Sequence, residues 1–261
     1  MSTMSIEKIA MKSRCIFEEH FHDERWRDRW WVESQGAVVG RTEAGITISN
    51  PQSGTSGGTT IWLRRRLPEN VIVRVGARTH APVEGNACNL NVVLHALEPD
   101  GAPVRPGRSG DYPELHVIPN LIVTFTGGSA PGWSRIRRNP GFRLVSEAAC
   151  RAEPNRQYEL DYVLNQGQIA VWINGECRHC WRDAQPLNGG YFGLRTWCSN
   201  VSFTAVRIGV PDGTSPLDPM LPEHEITPER TVAMMDDQSL TTLVSPEFSC
   251  KKDIASWAAS S

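Results

Sequence analysis

From about residue 36 to residue 209 apolar and polar side chains alternate with a period of two, and turn residues interrupt the alternation at short intervals. That is the pattern of half-buried β-strands. Ala37–Val39, Ile46–Ile48, Thr59–Leu63, Val71–Val75, Leu90–Leu94, Leu121–Phe125, Tyr158–Leu164, Ile169–Ile173, Tyr191–Trp197 and Val201–Ile208 all read this way. Glu43-Ala44-Gly45 breaks one pair of strands. Asn174-Gly175 marks another hairpin, because a type I′ turn needs positive φ at both central residues. No segment of this region carries an apolar stripe of helical spacing. About a dozen strands without crossover helices predict an antiparallel sandwich.

The ends depart from this pattern. Residues 1–13 read as a short tail, 14–210 as one all-β sandwich, and 211–261 as a C-terminal extension. Pro211, Pro216, Pro219, Pro222 and Pro228 end regular structure there. Ser245-Pro246-Glu247 then supplies an N-cap, a proline suited to a first helical turn and a favourable acid. Cys250, Ile254 and Trp257 follow at i, i+4 and i+7, which predicts a short amphipathic helix. Such a helix could dock on the sandwich or on a second subunit, so a homodimer is open.

Composition narrows the function classes. Twenty-seven basic and 29 acidic residues give a net charge of −2 and a pI near 6.4, with no basic footprint for nucleic acid. No apolar run is long enough to span a membrane as a helix. The first fifteen residues lack the apolar core and cleavage site of a secretory signal, so the expected location is the cytoplasm. Seven scattered cysteines fit reduced thiols, and Cys177-Arg-His-Cys180 lacks the second ligand pair that a structural zinc requires. Only Lys8, Lys12, Lys251 and Lys252 are lysines; every other cation is arginine, the side chain that best matches a carboxylate. Nine of the twenty aromatic residues are tryptophan, whose flat face stacks on sugars as well as filling cores.

The chain resembles a known family in several blocks. Phe17-Glu-Glu-His-Phe21 with Trp26, Trp30 and Trp31, and Val201-Ser-Phe203 to Ile208, look like the opening and closing strands of concanavalin A-like, laminin G-like jelly-roll sandwiches. Arg108-Ser-Gly-Asp-Tyr-Pro-Glu-Leu-His116 and Arg137-Arg-Asn-Pro-Gly-Phe142 are similar to the corresponding segments of the YesU-like family of bacterial proteins. Tyr158-Glu-Leu-Asp161, Val171-Trp-Ile-Asn-Gly175 and Gly190-Tyr-Phe-Gly-Leu-Arg195 match in order and spacing. The resemblance covers roughly residues 14–210. It implies a jelly-roll fold and a role in the use of plant cell-wall pectin, particularly rhamnogalacturonan.

Strand alternation then nominates side chains. Phe192 and Leu194 belong inside, so Arg195 and Trp197 face outward; Ile169, Val171 and Ile173 turn Trp172 outward. If the segment after Asp111 is a regular strand, Tyr112, Glu114 and His116 share one side. The expected site therefore combines Tyr112, His116 and Arg138 as catalytic groups with Arg108, Glu114, Trp172, Arg195 and Trp197 as substrate contacts. This set suits β-elimination on an acidic oligosaccharide, in which an arginine pairs with the uronate carboxylate and a tyrosine or histidine moves the proton; hydrolysis of such a substrate is equally open. The other reading is a sugar-binding protein without turnover. A retaining-glucanase row of paired carboxylates is missing, since Glu159 and Asp161 have no third acid in register. No cofactor is expected. Asp100, Asp111 and Asn120 could place a structural calcium but form no recognisable calcium loop, and His20 and His22 could share a strand face.

Overall fold

The computed structural model describes residues 13–34, 36–49, 58–80, 87–128 and 130–211. They form fifteen strands and two short helices. In chain order these are β1 (Ser13–Glu19), α1 (Trp26–Arg29), β2 (Trp30–Ser34), β3 (Val38–Thr42), β4 (Gly45–Ser49), β5 (Gly58–Leu67), β6 (Val71–Thr79), β7 (Ala87–Ala96) and α2 (Tyr112–His116). There follow β8 (Asn120–Gly128), β9 (Trp133–Asn139), β10 (Arg143–Ala148), β11 (Gln157–Asn165), β12 (Gln168–Ile173), β13 (Glu176–Arg182), β14 (Gly190–Trp197) and β15 (Asn200–Pro211).

Two antiparallel sheets face each other. One has the order β13-β12-β11-β6-β15-β4-β3, with β1 added beside β15; the other runs β10-β9-β8-β7-β14-β5-β2. Each expected strand lies within an observed one, except that Ala37–Val39 begins one residue before β3. The Asn174-Gly175 turn joins β12 to β13 with φ of 50° and 79°, as a type I′ turn requires. The first and last strands pair, Ser13 opposite Pro211 and Glu19 opposite Val206, which closes the sandwich across its termini. The C-terminal extension beyond Pro211 lies outside the described residues.

Alternation explains the core. Val71, Val73, Val75 and Ala77 of β6, Tyr158, Leu160, Tyr162 and Leu164 of β11, and Phe192 and Leu194 of β14 all point between the sheets, where they meet Trp30 and Phe203. Burying one such side chain contributes about 1.5–3 kcal/mol. His179 of β13 also points inward and joins the two sheets. Its Nε2 lies 2.9 Å from Ser134 Oγ on β9 and its Nδ1 2.8 Å from Ser146 Oγ on β10.

A second apolar cluster occupies the outer face of the seven-stranded sheet. Trp31, Trp62, Val93, Ile122 and Tyr191 point away from the main core and are covered by Val104, Leu115 and Ile118 of the β7–β8 connection. That long connection holds α2 against the sheet. The segment departs from the strand expected there because Asp111 takes an extended conformation before it, Pro113 occupies the first turn and Glu114 provides the acid. These are helix-start signals.

Candidate functional site

The remainder of that outer face is polar and, apart from Arg135, buried. Strand pairing lines up one rung across six strands: Arg135 on β9, Thr124 on β8, Asn91 on β7, Arg195 on β14, Thr60 on β5 and Glu33 on β2. At about 4.8 Å per strand the rung is roughly 24 Å long. Every member alternates with an inward core residue. On one side of the rung stand Trp133 and, two positions beyond Arg195, Trp197, whose partner is Gly58. The other side is walled by the rings of α2 and the β9–β10 corner.

That wall is compact. Tyr112 and His116, four residues apart on one face of α2, meet edge to face with centroids 4.6 Å apart. Phe142 packs against His116 at 3.8 Å and against Tyr112 at 5.3 Å. The Arg137 guanidinium lies 4.2 Å from the Phe142 centroid and interacts electrostatically with Tyr112. The Arg195 guanidinium approaches the Tyr112 ring at 5.1 Å. Gly141 N–H donates to the His116 carbonyl at 3.0 Å and ties the corner to the helix.

Arg195 is 1% exposed. Its Nη1 donates to Thr60 Oγ1 at 2.9 Å and to the Gly110 carbonyl at 2.7 Å. Burial lowers its pKa to about 10, so it still carries its charge at neutral pH. Burial, then Arg195 and Arg137, push His116 down to about 4 and keep its imidazole neutral. Glu33 accepts from Trp62 Nε1 at 2.7 Å, and burial raises its pKa to about 7. Several buried polar atoms on this face have no hydrogen-bond partner among the described residues: Asn91 Oδ1, Thr124 Oγ1, Arg195 Nε, His116 Nε2, Trp133 Nε1 and Asp111 Oδ1. Buried polar groups are normally paired, so this concentration calls for a polar ligand or water.

The structure brings together Tyr112, His116, Arg195 and Trp197, and it separates the rest of the expected set. Arg138 is on the opposite face of β9 from Arg137; its Nε bonds Asp183 Oδ2 at 3.0 Å and it does not line the rung. Glu114 turns back to its own loop and accepts from Ser109 Oγ at 2.9 Å and Gly110 N–H at 3.2 Å. Arg108 lies in the covering connection with Nη2 on Glu98 at 2.6 Å. Trp172 faces outward as expected, but from the eight-stranded sheet, away from Arg195. Glu159 and Asp161 share that sheet, paired with Arg74. Asp100 bonds Arg105, and Asn120 braces α2 through the Leu115 and Ile118 carbonyls. His20 stacks on His22 at 5.4 Å beside Glu18. Among the described residues no three His, Cys, Asp or Glu side chains converge as a metal site.

Arg137, Arg135, Asn91, Thr124 and Phe142 were not anticipated. For the two arginines the signal was present. Ile136 is the apolar residue of β9 and must face the core, which sends its immediate neighbours outward.

A family model, described as a domain of unknown function (DUF6250), matches residues 54–206. The chain belongs to the DUF6250 family. The matched region contains the whole rung except Glu33, and both walls. No curated protein sequence matches this DUF6250 chain. Among solved structures it is similar to a Bacillus subtilis protein of unknown function with a galectin-like fold, at a TM-score of 0.65 and 17% identity. That match covers 76% of this chain and 99% of the other. The Bacillus subtilis carbohydrate-binding module CBM66 matches with a TM-score of 0.50 and 12% identity over 69% and 94% of the two chains. The Ca2+-bound exoplasmic/lumenal domain of VIP36 matches with a TM-score of 0.53 and 12% identity over 78% and 94%. These likenesses establish the galectin- and concanavalin-like sandwich.

Proposed function

We propose that this chain binds acidic oligosaccharides across the outer face of its seven-stranded sheet. The observation that carries the reading is the polar rung, with its unpartnered buried donors and acceptors, set between Trp133 and Trp197 on one side and the Tyr112–His116–Phe142 wall on the other. Hydroxyl-rich ligands need such paired donors and acceptors, and their apolar faces suit aromatic rings. Arg135, Arg137 and Arg195 point to a carboxylate, which a guanidinium binds through two parallel hydrogen bonds. Two structural relatives bear on this choice: one is a carbohydrate-binding module, and the other, VIP36, is described bound to a mannose-containing saccharide. Pectic oligosaccharides, rich in uronate, are the substrate class that the YesU-like resemblance favours.

Titration calorimetry with oligogalacturonides and with neutral oligosaccharides of equal length tests the reading. The acidic series should bind and the neutral series should bind more weakly. Arg137→Gln should weaken the acidic ligand by about 1–3 kcal/mol, the range for hydrogen bonds to charged groups. Equal affinity for both series, or an unaffected Arg137→Gln variant, would place the carboxylate contact elsewhere.

A specific observation favours a second reading, β-elimination. His116 Nε2 is unpartnered beside Tyr112, with two guanidiniums nearby. An arginine-bound uronate has an acidified C5–H. Transfer of that proton to the imidazole and cleavage of the C4–O bond would leave a C4=C5 double bond, with Tyr112 returning a proton to the departing oxygen. The product absorbs in the near ultraviolet. Absorbance should grow with the unaltered protein and vanish in His116→Ala, with binding retained. Binding without absorbance assigns the face to recognition alone. Chelation is expected to leave either behaviour intact.

A further inference from the structure

Cys177-Arg178-His179-Cys180 lies on β13, the edge strand of the eight-stranded sheet. In a regular strand residues three apart point to opposite faces. Here the pairing of β12 with β13 slips by one residue. His179 sits opposite Val171 but Cys177 sits opposite Trp172, so Arg178 is an extra, bulged residue. Cys180 pairs with Ala170. Ala170 and Trp172 both belong to the outer face of the sheet. Both cysteines therefore point outward from adjacent rungs, while His179 between them turns inward and is buried.

The two sulfurs face each other and solvent. Both cysteines are exposed free thiols, and among the described residues no strand pairs with the outer edge of β13. Cys177 Sγ–H donates to the His179 carbonyl at 3.4 Å. That carbonyl belongs to the peptide joining His179 to Cys180, so the sulfur leans toward its partner. Gln168 Nε2 donates to Cys180 Sγ at 3.1 Å. A donor of this kind favours the thiolate, the form that reacts. Adjacent outward positions on one strand are about 7 Å apart. That is the upper edge of the Cα separation, roughly 4.4–6.8 Å, that a disulfide spans. A slight tightening of the bulge at Arg178 closes the pair. The other described cysteines are arranged differently: Cys88 and Cys198 are buried, and Cys15 and Cys150 stand on β1 and after β10.

We propose that Cys177 and Cys180 are a redox modification site, a dithiol that closes to a disulfide on reaction with a low-molecular-weight disulfide such as oxidised glutathione. The Cys180 thiolate attacks one sulfur of that disulfide and its S–S bond breaks. The departing thiolate takes up the proton that Cys180 released, and a mixed disulfide remains on Cys180. Cys177 then attacks Cys180 Sγ and expels the second small thiol, which takes up the Cys177 proton. Two protein thiols are oxidised and one small disulfide is reduced to two thiols; excess reduced thiol reverses both steps. The closed pair brackets His179, the side chain that ties β13 to Ser134 and Ser146 of the other sheet. The modification therefore acts on the edge strand that joins the two sheets.

Trypsin makes the test direct, because it cuts after Arg178 and separates the two cysteines. The full chain is treated with oxidised glutathione, its remaining thiols are blocked, and it is digested without reductant for mass spectrometry. Residues 157–178 should stay joined to residues 179–182 through one disulfide and part when reductant is added. Cys177→Ser should instead accumulate a stable glutathione adduct on Cys180, and Cys180→Ser should take up glutathione at Cys177 severalfold more slowly. Both substitutions change exposed side chains, and near-ultraviolet circular dichroism verifies the fold of each variant. Three results would overturn the proposal: a disulfide from Cys177 or Cys180 to any other cysteine, a glutathione adduct that persists on Cys180 of the unaltered chain, or no modification of either thiol in the folded chain. Faster reaction at Cys177 than at Cys180 would overturn the assigned order of attack.

Discussion

Glu33 ends the polar rung as a carboxyl with an unusual charge state. It is 3% exposed, and burial outweighs its hydrogen bond from Trp62, so it ionises only near pH 7. Its folded-state pKa lies above the unfolded value; the associated stability is therefore full below about pH 4.5 and is lost as pH rises through about 7. The change amounts to no more than about 3 kcal/mol. A second effect follows at the site. Ionised Glu33 competes with an anionic ligand for Arg195, across Thr60, so affinity for an acidic sugar should fall as pH passes 7. Glu33→Gln should abolish both slopes, which chemical denaturation and calorimetry at pH 6 and pH 8 would show. An unchanged affinity slope in that variant would remove Glu33 from the account. The same alternation that fixes Glu33 shows how a site residue can be misassigned by one position. Arg137 and Arg138 are adjacent and chemically identical, and only the inward demand of Ile136 decides between them. Asn91 and Thr124 carried less signal, since one polar residue in an apolar strand matches many structural roles.

The β7–β8 connection and its helix convert a flat sheet face into a walled one. Gly110 is the contact on which this depends. Its φ is 89°, its carbonyl accepts from Arg195, and a Cβ there would stand 2.7 Å from the Gly58 carbonyl and 2.9 Å from that of Glu33. Gly110→Ala should therefore cost about 1–3 kcal/mol of stability and release Arg195, so that ligand affinity falls further than in Arg137→Gln. Gly175 offers a control. Its φ of 79° meets the turn requirement, but a Cβ would enter open space, so Gly175→Ala should lose about 1–2 kcal/mol and leave ligand affinity unchanged. Differential scanning calorimetry with calorimetric titration separates the two. Strands were readable because each has a buried face that enforces alternation. Helix α2 was harder: five residues make barely more than one turn and have no room for an apolar stripe. Its evidence was confined to Asp111, Pro113 and Glu114, three residues also compatible with a turn between strands.

Across the whole sandwich, three histidines are held neutral by burial. His95, His116 and His179 all have pKa values lowered to about 4, His116 with help from its arginine neighbours. A lowered folded-state value means that their contribution is full above the unfolded pKa of about 6.5 and is lost as pH falls toward 4. Three such groups outweigh the opposite trend of Glu33 in that interval, so the melting temperature should climb from pH 4 to pH 6.5 and level near neutrality. His179→Gln should flatten part of this rise; a parallel profile would exclude His179 as a contributor. The sandwich as a whole was visible in the sequence, since two-residue periodicity implies two sheets and one core. Which sheet each strand joins was not, because Trp172 and Arg195 both read simply as outward, and only long-range pairing sets them on opposite sides of the molecule. The rung itself has one more implication. Its members come from six strands spread between residues 33 and 195, each flanked by core residues that face the other way. Selection can therefore rewrite that polar face one strand at a time without disturbing the packing beneath it, so closely related sequences can diverge in the ligand the proposed site would take while keeping the same scaffold.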